Sequence, residues 1–435
     1  MSDLPPGLEE ALGFPLFAAL FGRRARRFAL GAAIPDGPLA FTSRYEPHPL
    51  SELERLLVVT AATGNTAWHH LITRNARYAP HLSNYCGAAG GRTFPSAAGF
   101  HTSQLFFTDD SGIFFVDTRD APALVDRQAD GALDAEALLA AHRGQIRQLE
   151  AGRLHLPREE PYMEGHNTWN VNVQGSLLLI PVGDLAQHVL ATLCYYLQNG
   201  YVLTDDVHGA PFPGLERFRH LADVENPLPL SFVEQLALGE LSVELGASCY
   251  AGMLSLQAMG LGGWMFDGLS PQALLGASGD PAVPGLGFRY DERPGWPVPN
   301  PTGRAGVFEA FCPPHFPDMR AAVEALVRRK FGPGGPFHRG TPGPFRDSPG
   351  VRGSAQVHDE AFQACVALQA QTIFERFGKF PGTVPSVLVL MYLQAHHLDL
   401  EFYDTHFAPG AYLSTHAHHF EKWHGGVLPK RRDGG

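Results

Sequence analysis

Four arginines lie within five positions near the start of the chain, in the run Gly22-Arg23-Arg24-Ala25-Arg26-Arg27-Phe28. A guanidinium group is planar and carries several N–H donors, so clustered arginines can clamp a phosphate with paired hydrogen bonds. The alternative is the solvated basic end of a helix, since the residues before the run have a helical pattern. The run is therefore one candidate phosphate site.

A second candidate site is the segment Arg92-Thr93-Phe94-Pro95-Ser96-Ala97-Ala98-Gly99. A Pro-Ser turn rich in small residues exposes main-chain N–H groups, which can meet a phosphate or a ring carbonyl. The alternative is an ordinary turn that leads into a strand. Residues 105–107 and 112–116 favour a hairpin directly after the segment, because they are strand-like runs separated by a polar turn.

Histidines crowd the last forty residues, where they could hold a metal ion: His396, His397, His406, His416, His418, His419 and His424. His416 and His418 would share one face of a strand, and a carboxylate with a third histidine could complete a site. His396 and His397 would lie about 100° apart on a helix and could not both bind one ion. The spacing matches no zinc signature, so satisfied or surface histidines are favoured and no metal ligand is assigned.

The stretch 240–268 predicts the element around which the rest is organised. Apolar residues cover most of the circumference of a helix here, so the helix should be buried. Glu240 and Glu244 are expected in its first turns, where the helix dipole favours acidic groups. Gly260 can end the helix in the left-handed conformation, and a short strand is predicted at 264–266.

Small residues recur along this stretch, and main chain or a flat ligand could approach closely at each of them: Gly246, Gly252, Gly262, Gly263 and Gly268. The alternative is plain packing of the helix against a sheet.

The remaining pattern mixes helices and strands. Ser51 and Glu54 form a capping-box pattern for a helix that ends near Gly64. Residues 177–182 are a continuous apolar run, typical of a buried strand. Further helices are predicted at 4–21, 134–156, 185–199, from 234, and at 318–329, 355–377 and 384–397. The polar segment 65–91, which includes Tyr78 and His81, is typical of a binding loop. Together these elements indicate an α+β core.

Composition narrows the function. A formal charge of -11 argues against a nucleic-acid-binding surface, which needs clustered Lys and Arg. Five scattered cysteines without a C-x-x-C pair indicate reduced thiols in a cytoplasmic protein. The first residues are not typical of a secretory signal, and no apolar run reaches the 18 or so residues of a membrane span. We therefore expect a soluble cytoplasmic protein.

Three of these segments resemble the nitroreductase-like flavoproteins. The helix ending in Ala258-x-Gly260-Leu261-Gly262, followed by an apolar strand and an Asp-Gly pair, is similar to the late core helix of that family. The pattern Arg92-x-x-Pro95-Ser96-Ala97-x-Gly99 resembles a motif of its SagB-type branch. Aligned on Phe28, the arginine run is similar to the R-R-S-x-R-x-F start of the family, with Arg23 and Arg26 on its arginines and Arg24 in place of its serine.

The resemblance covers about residues 20–310 and implies an antiparallel sheet flanked by helices, with a C-terminal helical extension. It implies FMN bound without a covalent bond in a homodimer, and hydride transfer between that flavin and NAD(P)H, a small molecule or a peptide-derived substrate. The cofactor-binding residues it implies are Arg23, Arg24 and Arg26 at the phosphate, Pro95, Ser96, Ala97 and Gln104 along the ring and ribityl chain, and the backbone of Phe266, Asp267 and Gly268 beside the ring. No catalytic residue is assigned.

The predicted organisation is a flavin-binding domain at 1–300, a Pro/Gly-rich linker or loop at 301–353, and a helical, histidine-rich extension at 354–435. Two other functions stay open. One is a metal-dependent enzyme that uses the C-terminal histidines, and the other is a binding protein that has the same fold without a cofactor.

Overall fold

The computed structural model describes residues 5–72, 83–122 and 134–432. Within them the helices are α1 (Pro6–Leu12), α2 (Leu16–Gly22), α3 (Glu52–Thr63), α4 (Ala135–Arg143), α5 (Leu185–Gln198), α6 (Leu230–Met259), α7 (Pro271–Leu275), α8 (Met319–Phe331), α9 (Ser348–Arg352), α10 (Glu360–Phe377), α11 (Leu400–His406), α12 (Ser414–Ala417) and α13 (His419–His424). The strands are β1 (Ala33–Ile34), β2 (Phe41–Thr42), β3 (Asn65–Trp68), β4 (Gly90–Arg92), β5 (Ser103–Asp109), β6 (Gly112–Val116), β7 (Ile146–Ala151), β8 (Leu177–Asp184), β9 (Tyr201–Asp205), β10 (Ala210–Pro211), β11 (Asp223–Pro229), β12 (Gly262–Phe266), β13 (Arg289–Asp291), β14 (Asn300–Arg304), β15 (Phe308–Glu309), β16 (Val387–Leu388) and β17 (Tyr392–His396).

One antiparallel sheet of seven strands forms the centre of the fold. Its strand order is β12-β17-β8-β5-β6-β7, and the short β16 also pairs with β8. Phe106 of β5 lies opposite Ile180 of β8 and Phe115 of β6. All eight residues of β8 are buried, as expected for a strand covered on both faces.

The two faces of this sheet pack against different helices. Leu105, Phe107 and Leu179 point to one face, where they join apolar side chains of α3 and of the second half of α6. Phe106 and Ile180, offset by one residue, point to the other face, where α5, α8 and α10 lie. The predicted α+β class, with an antiparallel sheet flanked by helices, is confirmed.

Several predicted elements are confirmed. The capping box at the start of α3 is present: Ser51 Oγ accepts from the N–H of Glu54, and Glu54 Oε2 accepts from the N–H of Ser51. The hairpin after the Pro-Ser segment is β5–β6. Gly260 ends α6 with a left-handed φ of 73°. Of the predicted polar loop 65–91, Tyr78 and His81 lie outside the described residues.

Other predictions were wrong. The segment expected to be a helix at 384–397 contains two strands, β16 and β17, because a short buried apolar run does not distinguish a helix from a strand. The helix expected at 134–156 ends at Arg143, and β7 follows it. α6 begins at Leu230, so Glu240 and Glu244 lie well inside the helix and away from the positive end of its dipole. His416 lies in the short helix α12, with His418 just after it, instead of in a strand.

The C-terminal part of the chain belongs to the central sheet. β17 lies between β12 and β8, so a strand from residues beyond 354 completes the sheet begun by earlier residues. The segment 301–353 contains α8 and α9 as well as loops. None of the helices in the described residues combines the length and apolar character that crossing a membrane requires.

Candidate functional site

The arginine run does not present a free cluster of guanidinium groups. Arg26 is 2% exposed and donates to Gln257 Oε1 at 2.7 Å, to the carbonyl of Ala411 at 2.9 Å and to that of Gly22 at 3.1 Å. Burial lowers the pKa of Arg26 to about 10, so it stays charged at neutral pH. Arg24 donates to the carbonyls of Phe21 and Arg23. Arg26 therefore ties the end of α6 to neighbouring segments.

The segment after β12 packs against a turn of the same chain. Asn167 Nδ2 donates to the carbonyl of Asp267 at 2.9 Å, and the N–H of Glu164 donates to that of Gly268 at 3.0 Å. A β-carbon at Gly268 would lie 2.8 Å from Asn167 Nδ2. Phe266 is buried at the end of the strand. The close approach expected at Gly268 is thus made by protein.

Ser96 fixes its own turn to α6. Its Oγ donates to Glu244 Oε2 at 2.5 Å and accepts from the N–H of His101 at 2.9 Å. The other oxygen of Glu244 accepts from the N–H of Ser103 at 2.8 Å and from its Oγ at 2.5 Å. The next residue, Gln104, is buried, and its Nε2 donates to Asp117 Oδ1 at 3.4 Å.

The structure does not bring the first two predicted segments together within one chain. Arg26 bonds to Gln257 and Ser96 bonds to Glu244, and these partners are thirteen residues apart on α6. At about 1.5 Å per residue that separation is about 20 Å. Sequence resemblance alone had implied that both contact one cofactor.

A cavity of about 1450 Å³ lies beside the Pro-Ser segment. Its walls come from α3, β3, the residues 91–101, and Ser255 to Met259 of α6. Pro95 and Ser96 line it, whereas Ala97 is half-buried in the same turn. Small-molecule sites usually measure about 300–1,000 Å³, so the cavity has room for a large ligand.

Arg92 places a buried charge at this cavity. Its Nη1 donates to the carbonyl of Gly91 at 3.1 Å and its Nη2 to that of Thr118, while Nε has no hydrogen-bond partner among the described residues. Burial lowers the pKa of Arg92 to about 10, and the nearby Glu244 carboxylate opposes that shift. The side chain therefore remains a cation whose Nε–H has no partner among the described residues.

Two histidines line the same cavity. The rings of His69 and His101 stack with centroids 5.4 Å apart and planes 13° from parallel. Burial and the charge of Arg92 lower the pKa of both imidazoles, so both are neutral at pH 7. His69 Nε2 and His101 Nδ1 have no hydrogen-bond partner in the part of the chain that is described. These nitrogens can therefore donate to or accept from a ligand without adding charge.

The main chain at this wall is strained. Ala98 and His101 have φ angles of 47° and 48°, in the left-handed region that L residues rarely adopt. Such strain persists only where surrounding bonds hold it, and here the bond between Ser96 Oγ and the N–H of His101 does so. Arg92 and His101 fall in and next to the predicted Pro-Ser segment, although no individual role had been predicted for either.

A second polar cluster joins the chain end to α3. The Nε2 atoms of His397, His419 and His424 lie 3.2, 2.8 and 3.0 Å from Glu54 Oε1. The four donor atoms all lie within 4.8 Å of one another. His416 and His418, which spacing favoured as a pair, are not among them. Glu54 is separated from His397 by 343 positions. The sequence predicted Glu54 only as part of a helix cap, so it was not identified as a candidate ligand.

Comparisons with known proteins add little. No protein-family model matches the chain, and no curated protein matches it either. A crystal structure of a putative nitroreductase from Ralstonia eutropha is similar at 14% sequence identity, covering 59% of this chain and 71% of that one, with a TM-score of 0.27. This likeness is too weak to place the chain in a family.

Proposed function

We propose that the protein is an FMN-dependent oxidoreductase whose flavin lies in the cavity beside Arg92 and the Pro-Ser segment. The supporting observation is that three buried nitrogens at this wall lack partners among the described residues: Arg92 Nε, His69 Nε2 and His101 Nδ1. Buried polar atoms are nearly always hydrogen-bonded, so unpartnered nitrogens on three residues that line one cavity support a ligand there. A flavin offers a phosphate, ring carbonyls and a flat ring system in one molecule.

The residues around the cavity could bind FMN, but with a different arginine from the one that the sequence resemblance implies. Arg92 would supply the positive charge for the phosphate or a ring carbonyl. Arg26 is less suited to this role, because its guanidinium group donates to oxygen atoms inside the protein. The main chain of residues 95–99 would lie along the ring, with the Ser96 hydroxyl shaping the turn through Glu244. Gln104 is a secondary candidate within the chain, whereas Arg23 and Arg24 would contribute only from a second copy of the chain. Of residues 266–268, Phe266 and Gly268 pack inside their own chain, so the exposed Asp267 is the residue that would reach the ring from a second copy of the chain.

When bound, the flavin supplies two-electron hydride chemistry. The protein's part is to bind and orient it and to exclude water. Neutral imidazoles at His69 and His101 would hydrogen-bond without neutralising the phosphate. The partner in the reaction would be a small molecule or a peptide-derived group, with NAD(P)H as a candidate electron donor. The five unpaired thiols fit a reducing compartment such as the cytoplasm.

FMN binding is the first prediction. Titration of the purified protein with FMN, followed by flavin fluorescence, should give saturable binding that Arg92→Gln weakens about 10- to 100-fold, since a hydrogen bond to a charged group contributes about 1.5–3 kcal/mol. Arg219→Gln, at an exposed arginine, should leave the affinity unchanged.

A second site variant and its control cover the case in which Arg92→Gln does not fold. His101→Asn removes the ring but tolerates the left-handed backbone, and should weaken FMN binding while the protein stays folded. His155→Asn, at an exposed histidine, is its control. Saturable binding unaffected by both site variants would contradict the placement of the flavin, and absence of FMN binding by the wild type would favour the cofactor-less binding protein.

We also propose a homodimer formed through α6. Phe232, Leu236, Val243 and Tyr250 are exposed at helical spacing on one face of this helix. On the same side, no described atom beyond the helix itself lies within 4 Å of a β-carbon placed at Gly246, so the main chain of a second helix could approach closely. Such a face can pair with its own copy about a twofold axis.

The dimer is tested by a charge on this face. Sedimentation should give twice the chain mass for the wild type, and Val243→Glu should shift the population toward monomer, because an unpaired carboxylate would be buried in the interface. Val357→Glu, at a valine of similar exposure outside α6, should stay dimeric. A monomeric wild type would refute this interface.

A further inference from the structure

The cluster at Glu54 is closed and buried. Glu54, His397 and His419 are 0%, 1% and 3% exposed, and the His424 side chain is 17% exposed. Three imidazole nitrogens converge on a single carboxylate oxygen, although one oxygen has only two lone pairs to offer in its plane. Three hydrogen bonds to Oε1 are therefore a poor account of the arrangement.

In two of the rings, the hydrogen bond made by Nδ1, the nitrogen that points away from Glu54, fixes the position of the ring proton. His397 Nδ1 is 2.9 Å from the carbonyl of His48, and His419 Nδ1 is 2.8 Å from that of Met259. A carbonyl only accepts, so each Nδ1 carries the hydrogen and each neutral ring turns the Nε2 lone pair toward the carboxylate. Imidazoles that bind metals are commonly held in this way, by a carbonyl or carboxylate behind the ligating nitrogen.

The contact of His419 supports this interpretation. Its Nε2 lies 2.8 Å from Glu54 Oε1 but is not aligned as a hydrogen bond, and it has no hydrogen-bond partner among the described residues. Lone pairs that face each other at this distance repel. A cation placed between them would accept all of them at once.

Glu54 is oriented for such a role. Its Oε2 accepts from the N–H of Ser51 at 2.6 Å in the capping box of α3, which leaves Oε1 directed at the three rings. The capping role and the ligand role therefore use different oxygens of the same carboxylate.

We propose that Glu54, His397, His419 and His424 bind one divalent transition-metal ion, zinc by preference, in a closed four-ligand site. Three neutral nitrogens and one carboxylate suit zinc, whereas calcium and magnesium prefer oxygen ligands throughout. In a tetrahedral zinc site with bonds of about 2.0–2.2 Å, ligand atoms are about 3.3–3.5 Å apart. The three distances to Glu54 Oε1 are shorter than this, and the four ligand atoms lie within 4.8 Å of one another, so side-chain rotations that move the rings around the ion would give that geometry.

The role assigned to this ion is structural. Four protein ligands fill a tetrahedral ion, whereas catalytic zinc keeps one position for water or substrate. The ligands come from α3, from the residue after β17 and from α13, and the last of these helices has only six residues. A helix that short is not stable alone, so the ion would fasten the chain end to the core. This site is independent of the flavin proposal.

Metal content tests the site. Protein made without a histidine tag should contain one zinc per chain by inductively coupled plasma mass spectrometry. His424→Asn, which changes the most exposed ligand, should lose the metal, and His418→Asn, at an exposed histidine nearby, should keep it. Wild-type protein without stoichiometric transition metal after growth in zinc, or equal metal content in both variants, would overturn the proposal.

Three further measurements cover the case in which His424→Asn fails to fold. His424→Cys offers a thiolate in place of the imidazole and should retain zinc. In the wild type, a chelator should lower Tm by several degrees, and zinc but not magnesium should restore it. Cobalt added to the metal-free wild type should give the strong visible bands of a tetrahedral site. No cobalt bands, or the weak bands of octahedral coordination, would refute the four-ligand geometry.

Discussion

Glu244→Ala is expected to lower the free energy of unfolding by about 3 kcal/mol or more. The carboxylate is 1% exposed and accepts from Ser96 Oγ, Ser103 Oγ and the N–H of Ser103. A buried donor left without an acceptor costs about 1–3 kcal/mol, and the variant leaves two of them at Ser103, while Ser96 Oγ at the cavity wall also loses its bond. The turn that carries Ser96 would also loosen, so FMN binding should weaken together with stability.

Urea unfolding measures this loss, and Glu240→Ala is its matched control. Glu240 lies one turn earlier on α6, is 32% exposed in its side chain and bonds only to His188 Nε2 at 3.1 Å among the described residues. Its removal leaves one buried nitrogen without a partner and should cost about half as much as Glu244→Ala. Equal losses in the two variants would show that Glu244 does not hold the turn.

The central strands could be predicted where burial and local chemistry agree. Residues 177–182 are apolar throughout and form β8, which is buried on both faces. The pairing of Ser51 with Glu54 is local, so the start of α3 follows from four residues. β17 was missed because its five residues become a strand only through pairing with β8 and β12, and that pairing is not encoded in their own periodicity.

The candidate site, too, could be predicted only where its residues are close together in sequence. The Pro-Ser segment was identified from its own residues, and it does line a cavity. Arg26 was assigned to a phosphate because nothing near it in sequence reveals that Gln257 and Ala411, 231 and 385 positions away, take its donors. Glu54 was missed as a candidate ligand for the same reason, since its histidines lie more than 340 positions later. Long-range partners decide which polar side chains are free.

Gly263→Ala should be strongly destabilising, with a loss of about 4 kcal/mol or more in the free energy of unfolding. Gly263 has a φ of 153°, and a β-carbon there would overlap the carbonyl oxygen of Gln394 on β17. Its N–H donates to the carbonyl of Arg26 at 2.9 Å, so the strand is held on both sides and cannot move away. The glycine is therefore required by the pairing of β12 with β17.

Gly165→Ala provides the control. Gly165 is exposed and has no positive φ, and apart from its chain neighbours no described atom lies within 4 Å of the place that its new methyl group would occupy. The unfolding free energy of this variant should stay within about 0.5 kcal/mol of the wild type.

Urea unfolding of both variants separates two explanations for the glycine-rich end of α6. If the close approach at Gly263 belonged to a bound ring instead of β17, the alanine variant would keep its stability and lose only FMN binding. A large loss of stability in the absence of FMN, which we expect, assigns that space to the sheet.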